Sequence, residues 1–305
     1  MIDTQPTLPS SSNLRQGRWL VVAAAVLWST SGFFVKAPLF EDWPQAVEQW
    51  PVRGPLFAFW RAAFASLALL LLVRQPRWSP QMVPMVLCFA AMNVTYLTAM
   101  AQTEAANAIW LQSTAPAWVF GIGVFWFGER AVARDWLLMA CGASGVAVIL
   151  LNELRGENPT GVVYGLLSGL FYAGIILSLR QLRDHEAAWL VALNHLVTAA
   201  ILAPYIVYQD VWPRGNQWFF LAGLGILQMG IPYVLFARGL QQITSHEASG
   251  IGLLEPVLVP VWVYLAWRNA ENYTPPRWWT IVGGGLILIG LVMRYAASIN
   301  TYQKS

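Results

Sequence analysis

Two stretches decide the fold: YLTAMAQTEAANAIWLQSTAP, Tyr96–Pro116, and FARGLQQITSHEASGIGLLEP, Phe236–Pro256. They superpose without a gap at an offset of 140 residues, which puts Gln102 on Gln242, Ala108 on Ala248 and Pro116 on Pro256. Each reads as the end of one apolar helix, a short connection, and a second helix interrupted by proline at the same point. An acidic residue follows each copy, Glu129 and Glu271. An apolar chain that uses one helical unit twice has the architecture of a solute carrier.

Composition names the solvent. Apolar residues make up 57% of the 305 and charged residues 11%, against roughly 25% charged in soluble domains. Seventeen tryptophans and ten tyrosines, many near the ends of apolar stretches, suit a headgroup interface. The basic residues are scattered singly between apolar spans, so a pI near 9 marks orientation in a bilayer and not nucleic-acid binding. Cys88 and Cys141 lie inside apolar segments without CxxC spacing.

Ten spans are predicted, at about Trp19–Val35, Leu56–Val73, Met82–Ala101, Ala105–Phe127, Trp136–Leu151, Thr160–Leu179, Ala188–Tyr208, Trp218–Ala237, Ala248–Trp267 and Trp278–Tyr295. Most approach the ~20 residues needed to cross hydrocarbon. The expected fold is an all-α integral membrane protein with ten transmembrane helices in two inverted-topology five-helix repeats. The first repeat is expected at 16–152 and the second at 160–296, with a connection at 153–159 containing Gly156. Tails are expected at 1–15, disordered and rich in Pro, Ser and Thr, and at 297–305. An odd number of helices per unit makes the second copy enter from the opposite face, the basis of alternating access.

Orientation follows from Lys and Arg. With the N-terminus inside, eleven fall on the inner side, from Arg15 and Arg18 to Arg294 and Lys304, and six outside: Lys36, Arg53, Arg155, Arg214, Arg268 and Arg277. Both termini are therefore expected in the cytoplasm. Gly161, Gly165 and Gly169 line one face of the sixth helix, and Gly142, Gly145 and Gly283 to Gly285 stand in the fifth and tenth. These are read as packing residues.

Polar groups at membrane depth are the site candidates. Pro116 and Pro256 each remove an amide, leaving the carbonyl of Gln112 or Gly252 without its helical donor. Either a neighbouring helix satisfies that carbonyl or it lines a path; Pro260 adds a further irregularity to the ninth helix. Glu255 lies about 12 Å into that helix at 1.5 Å per residue. A carboxylate there binds a cation, an amino group or a proton, or is held neutral by hydrogen bonds. Its counterpart is Ala115. His195, beside Asn194, reads either as a neutral buried histidine or as a proton-sensitive group. Arg61 either snorkels or pairs between helices, or it meets a substrate carboxylate. Trp28, Tyr96, Asn107, Trp110, Tyr172, Gln228 and Tyr233, with Ser29, Ser31 and Gln112, are candidate lining residues of a kind suited to a zwitterion with an apolar side chain. No catalytic constellation, metal-ligand spacing or nucleotide loop stands in the sequence, so neither cofactor nor metal is expected and pumping would draw on a gradient.

Trp28 to Phe34 ending in Lys36, Arg61, Ala105 to Pro116 closing with Gly128-Glu129, and Leu254-Glu255-Pro256-Val257 followed by Pro260 together resemble the drug/metabolite transporter superfamily, specifically its EamA-type ten-helix exporters. Within that group the chain is similar to the aromatic and neutral amino-acid exporters. Arg268-Asn269-Ala270 departs from the Gly-Glu ending of the usual second repeat, so Glu271 need not act as Glu129 does. The resemblance implies a bacterial inner-membrane protein with a cavity lined by helices one, three, four, six, eight and nine, which carry Trp28, Tyr96, Asn107, Trp110, Tyr172, Gln228, Tyr233 and Glu255. It implies export of small solutes, chiefly amino acids, possible use of protons, and a functional monomer. A nucleotide-sugar or multidrug carrier, a membrane-embedded enzyme and a structural or sensory protein are the competing readings; the first would want a more basic cavity than Arg61 and Lys36 provide.

Overall fold

The computed structural model describes residues 11–44, 53–128, 130, 133–153, 159–243, 245–271 and 273–302, with backbone alone for 11–12, 134, 245–246 and 294–302. Glu129, Lys304 and the connection at 154–158 lie outside them. Ten spans result. The first comprises α1 (Ser11–Trp28) and α2 (Ser31–Val35), the second α3 (Arg53–Leu70) and the third α4 (Met82–Gln102). The fourth is α5 (Ala105–Gln112) with α6 (Ala115–Phe125), and the fifth is α7 (Ala133–Glu153). The sixth is α8 (Pro159–Gln181) and the seventh α9 (Ala187–Gln209). The eighth joins α10 (Gln217–Gly225) to α11 (Ile231–Leu240) through a π turn, Ile226–Gly230. The ninth is α12 (Ser245–Gly252) with α13 (Leu254–Trp267), and the tenth α14 (Trp278–Tyr302).

Eight of these are long and apolar enough to cross a bilayer; α3 and the shorter apolar stretch Trp278–Met293 complete the ten. The described residues form no strand. The chain is a multi-pass α-helical membrane protein. The first helix begins at Ser11, eight residues before the expected Trp19, so helix reaches into the predicted tail; α14 likewise runs on to Tyr302. Neither extension contains proline, and a helix nucleated in its apolar part propagates at little cost.

Packing follows a two-fold pattern. The first span packs on the eighth as the sixth packs on the third, and the ninth packs on the first as the fourth packs on the sixth. The second and seventh spans pair with each other, as do the fifth and tenth. Adding five to each of these span numbers returns the same set of contacts, the relation expected of two inverted copies; the close packing of the second span on the third has no equal between the seventh and the eighth. Glycines set the approach distances. A β-carbon on Gly145 would lie 2.4 Å from the Gly283 carbonyl oxygen, and one on Gly283 would lie 2.6 Å from that of Gly145. At the end bearing the chain termini, a β-carbon on Gly17 would come within 2.7 Å of Gln242 and 2.9 Å of Ile243. At the distal end, a β-carbon on Gly161 would come within 3.3 Å of Gln102 and 3.0 Å of Thr103. Gln102 is the sequence equivalent of Gln242, so one pinch closes each end. Without a hydrophobic drive between helices in lipid, such close contacts supply the packing energy.

Four spans are interrupted, each for a local reason. In the first, the Ser29 and Thr30 hydroxyls donate to the carbonyls of Val26 and Leu27, both at 2.6 Å, competing with the helical ladder. The fourth and ninth break just before Pro116 and Pro256, each of which opens the next half-helix. In the eighth, Pro232 has no amide for the Gln228 carbonyl, and the preceding turn widens to a π turn. Pro260 lies inside α13, which continues through it.

Candidate functional site

The interruptions are stitched together by side chains from other spans. Gln228, in the π turn, donates Nε2 to the Trp28 carbonyl at 2.9 Å. Trp262 donates its indole N–H to Ser29 Oγ at 2.8 Å, and Trp110 donates its own to the Pro256 carbonyl at 2.9 Å. The two broken spans differ in what surrounds the break. A β-carbon on Gly169 of α8 would press on the Leu111 carbonyl oxygen and Thr114 Oγ1, both at 2.7 Å, so the fourth span is sealed. Beside Gly250 and Gly252, among the described residues, no atom outside the helix's own backbone and the chain neighbours lies within 4 Å of that position, so open space borders the ninth. Glu255 stands at this more open break, in the first turn of α13, where the helix dipole favours a negative charge.

Arg61 lies eight residues into α3 from the distal end, and Glu255 ten residues into the ninth span from the other. At 1.5 Å per residue these are about 12 and 15 Å, near the middle of a ~30 Å hydrocarbon layer. Arg61 does not snorkel: it is 3% exposed, and its guanidinium carbon sits 5.8 Å from the centroid of the Tyr96 ring. Tyr96 OH and Ser31 Oγ share a hydrogen bond of 2.8 Å. Glu255 is within Coulombic reach of both Arg61 and Tyr96, yet among the described residues no ion pair joins it to Arg61. Arg61 Nε has no hydrogen-bond partner there. Opposite charges at one depth, on the second and ninth spans and flanked by a phenol and a hydroxyl, form a buried polar cluster.

The other candidates are distributed. His195 is fully buried, its ring edge against Phe89 at 4.8 Å, with both ring nitrogens unbonded among the described residues and Arg61 within Coulombic reach. Trp28 packs on Phe236 at 5.0 Å. Asn107 belongs to the distal end, where its Nδ2 donates to Thr103 Oγ1 and Glu153 Oε1, both at 3.2 Å. Tyr233 donates to the Ala187 carbonyl at 2.7 Å near the terminal end, and Tyr172 is 42% exposed on α8. Thus Arg61, Tyr96 and Glu255 come together with Ser31, Trp110 joins them through Pro256, and Gln228 adjoins through Trp28. Asn107 and Tyr233 serve opposite ends.

Sequence reading passed over Trp262, Glu104, and Glu153 with its second donor Trp279 at 3.0 Å. Their partners are far away in sequence, so no spacing marks them. At the distal mouth Lys36, Glu104, Ala105, Val263, Trp267, Tyr273 and Thr274 line a small pocket. Glu104 accepts the backbone N–H of Arg277 on both oxygens at 3.2 Å. Burial raises its carboxyl above the usual range, against the pull of that bond.

Comparison with known proteins agrees with this architecture. The profile of the EamA-like transporter family matches twice, over residues 15–151 and 159–295. An uncharacterized transporter of Archaeoglobus fulgidus is 26% identical over 92% of this chain and 97% of its own. The pseudopaline exporter CntI of Pseudomonas aeruginosa is 27% identical over 92% of this chain and 95% of its own. A crystal structure at 19% identity superposes with a TM-score of 0.61 over 95% of this chain and 99% of that one, a likeness of fold.

Proposed function

Because the chain belongs to the EamA-like transporter family, we propose that it is a secondary exporter of neutral and aromatic amino acids and related small metabolites, working by alternating access in a bacterial inner membrane. The observation that carries this reading is the separated pair of Arg61 and Glu255 around Tyr96 and Ser31. Charges kept at membrane depth cost several kcal/mol unless compensated. A zwitterion compensates both, its carboxylate on Arg61 and its ammonium on Glu255, while the aromatic walls take its side chain. An exporter among the relatives supports the outward direction. The Lys and Arg asymmetry supports cytoplasmic termini, which makes the terminal end the inner one. Glu255 also supplies a site for a returning proton when the ammonium leaves, so exchange against protons by a monomer completes the proposal.

The test is counterflow in liposomes holding the purified chain, with radiolabelled phenylalanine, leucine and lysine, with and without a pH gradient. Phenylalanine and leucine should exchange, and Glu255→Gln should abolish the response to the gradient. If no amino acid exchanges while an organic cation or a nucleotide sugar does, the alternative carrier readings replace this one. An unchanged Glu255→Gln would return that residue to a structural role.

A further inference from the structure

Two carboxylates meet the first turn of α14 at the distal mouth. Glu104 stands at the N-cap of α5 and accepts the backbone N–H of Arg277, whose own carbonyl begins the α14 ladder at Ile281. Two residues on, the Trp279 indole donates to Glu153 Oε1 at 3.0 Å. Asn107, one turn along α5 from Glu104, donates to the same oxygen at 3.2 Å. The second copy does not repeat this pair. The offset of 140 puts Thr244 on Glu104 and Glu247 on Asn107, and the offset of 142 that puts Trp278 on Trp136 puts Tyr295 on Glu153. The one carboxylate left at the terminal end, Glu247, is paired with Arg18.

Negative charge at the distal pair is poorly compensated. The Glu104 side chain is 8% exposed and Glu153 is 6% exposed. Arg277 holds Nε 3.8 Å from Glu104 on a side chain that is 44% exposed. Glu153 has no ion pair among the described residues. Lys36 and Tyr273 stand within Coulombic reach of Glu104, and Arg53 acts on Lys36. A helix N-terminus presents about half a positive charge, too little for two carboxylates. Burial raises the Glu104 carboxyl and Glu153 adds to the rise, against the bonds from Thr280 and Arg277.

The polar neighbours suit a carboxyl group that changes its protonation. Asn107 is fully buried, and with Nδ2 on Glu153 and Thr103 its Oδ1 has no hydrogen-bond partner among the described residues. An amide has a donor end and an acceptor end, so Asn107 turned end for end accepts from a carboxylic acid. Thr280, fully buried on α14, faces Glu104 with a hydroxyl that donates or accepts alike. The pocket lined by Lys36, Glu104, Tyr273 and Thr274 has room for about one water, enough to carry a proton to Glu104.

We propose that Glu104 and Glu153 form a proton-binding site at the distal mouth, in which Glu104 takes up a proton from the distal side through the water-sized pocket and Glu153 favours its retention. The site exists at one end only, so it loads from that end. Its use in coupling rests on the exporter reading above; the binding of the proton does not.

Infrared spectroscopy tests this directly. The full chain in detergent is titrated from pH 4 to 9 and the carboxylic acid C=O band is compared between the parent and Glu104→Gln. A band absent from Glu104→Gln should persist in the parent above pH 5, where an ordinary glutamate is ionised. Glu153→Gln keeps an acceptor for Asn107 and Trp279 but removes the charge, so the midpoint of that band should move to lower pH. Exchanging choline chloride for sodium chloride should leave the midpoint in place. Identical titrations of the parent and Glu104→Gln overturn the proposal, as does a midpoint unmoved by Glu153→Gln. A midpoint lowered by sodium also overturns it, in favour of a metal cation as the occupant. Amino-acid exchange without the Glu104 band sinks the distal site alone. The band without exchange of any amino acid upholds the site and sinks the transport substrate.

Discussion

Trp110 donates its indole N–H to the carbonyl of Pro256 at 2.9 Å, joining the interrupted fourth span to the interrupted ninth. These spans are copies of each other, but the bond runs one way only. The counterpart of Trp110 is Gly250, which has no side chain to reach back to Pro116. Gly284 of α14 admits the indole: a β-carbon there would fall 1.6 Å from the Trp110 ring. The symmetry of the fold is thereby broken next to Glu255.

Trp110→Phe keeps the ring and removes the donor. The Pro256 carbonyl then loses its partner, at a cost of about 0.5–1.5 kcal/mol. We expect thermal unfolding in detergent to fall by a few degrees. Gly284→Ala should be worse, since the indole has to leave its place; overpacking costs about 1–3 kcal/mol or more. Equal Tm values for Gly284→Ala and the parent chain would contradict the observed fit.

The glycine pinches should act on opposite ends. Gly17→Leu wedges the first span from Gln242 and Ile243, and Gly161→Leu wedges the sixth from Gln102 and Thr103. In a chain with Cys88 and Cys141 replaced by serine and Ser31 by cysteine, a membrane-impermeant maleimide applied from outside should label faster in Gly161→Leu. Gly17→Leu should raise labelling from the inside only. Identical behaviour of the two variants would remove the pinches as end-specific closures.

Glu186 accepts the backbone amide of Arg74 at 3.1 and 3.0 Å and that of Gln75 at 2.6 Å. Trp189 adds its N–H to the Arg77 carbonyl at 2.9 Å. The connection between the second and third spans is thus clasped by the start of the seventh. Glu186→Ala removes charge-assisted bonds worth roughly 1.5–3 kcal/mol where shielded and less where exposed, as here. Trypsin cleavage after Arg74 and Arg77 should accelerate several-fold, while cleavage elsewhere holds constant. No change at those two arginines would show the clasp to be passive.

Lys36 gives a pH dependence with a definite sign. Its folded value of about 8 lies below the ordinary lysine value of about 10.4, so between them the unfolded chain binds more protons. Stability from this group therefore rises with pH across that window and is flat below and above it. The charges acting around it are Arg53, Glu104 and, through Glu104, Arg277 and Tyr273. Melting temperatures of the parent chain and Lys36→Met, measured from pH 7 to 10.5, should converge as pH rises. A gap that stays constant would mean the amine is not desolvated in the fold.

The sequence by itself determined the solvent, the number of spans and the duplication. Hydropathy is a local sum over about twenty residues, so each crossing is legible in isolation, and the offset between Pro116 and Pro256 marks two spans that break. What stayed hidden is which polar groups meet. Arg61 read alone fits a side chain that snorkels or pairs between helices, or one that meets a substrate carboxylate; only its burial over Tyr96, with Glu255 arriving from a span nearly 200 residues later, excludes snorkelling. Asn107 read alone resembles a lining residue, and only Glu153 and Trp279 draw it to the distal end. In lipid the apolar faces of helices are nearly interchangeable, so hydrophobicity does not specify partners. Shape does: Gly17, Gly161, Gly145 with Gly283, and Gly284 set how near two backbones come. Those distances, which exist only in the assembled bundle, decide which buried charges come together.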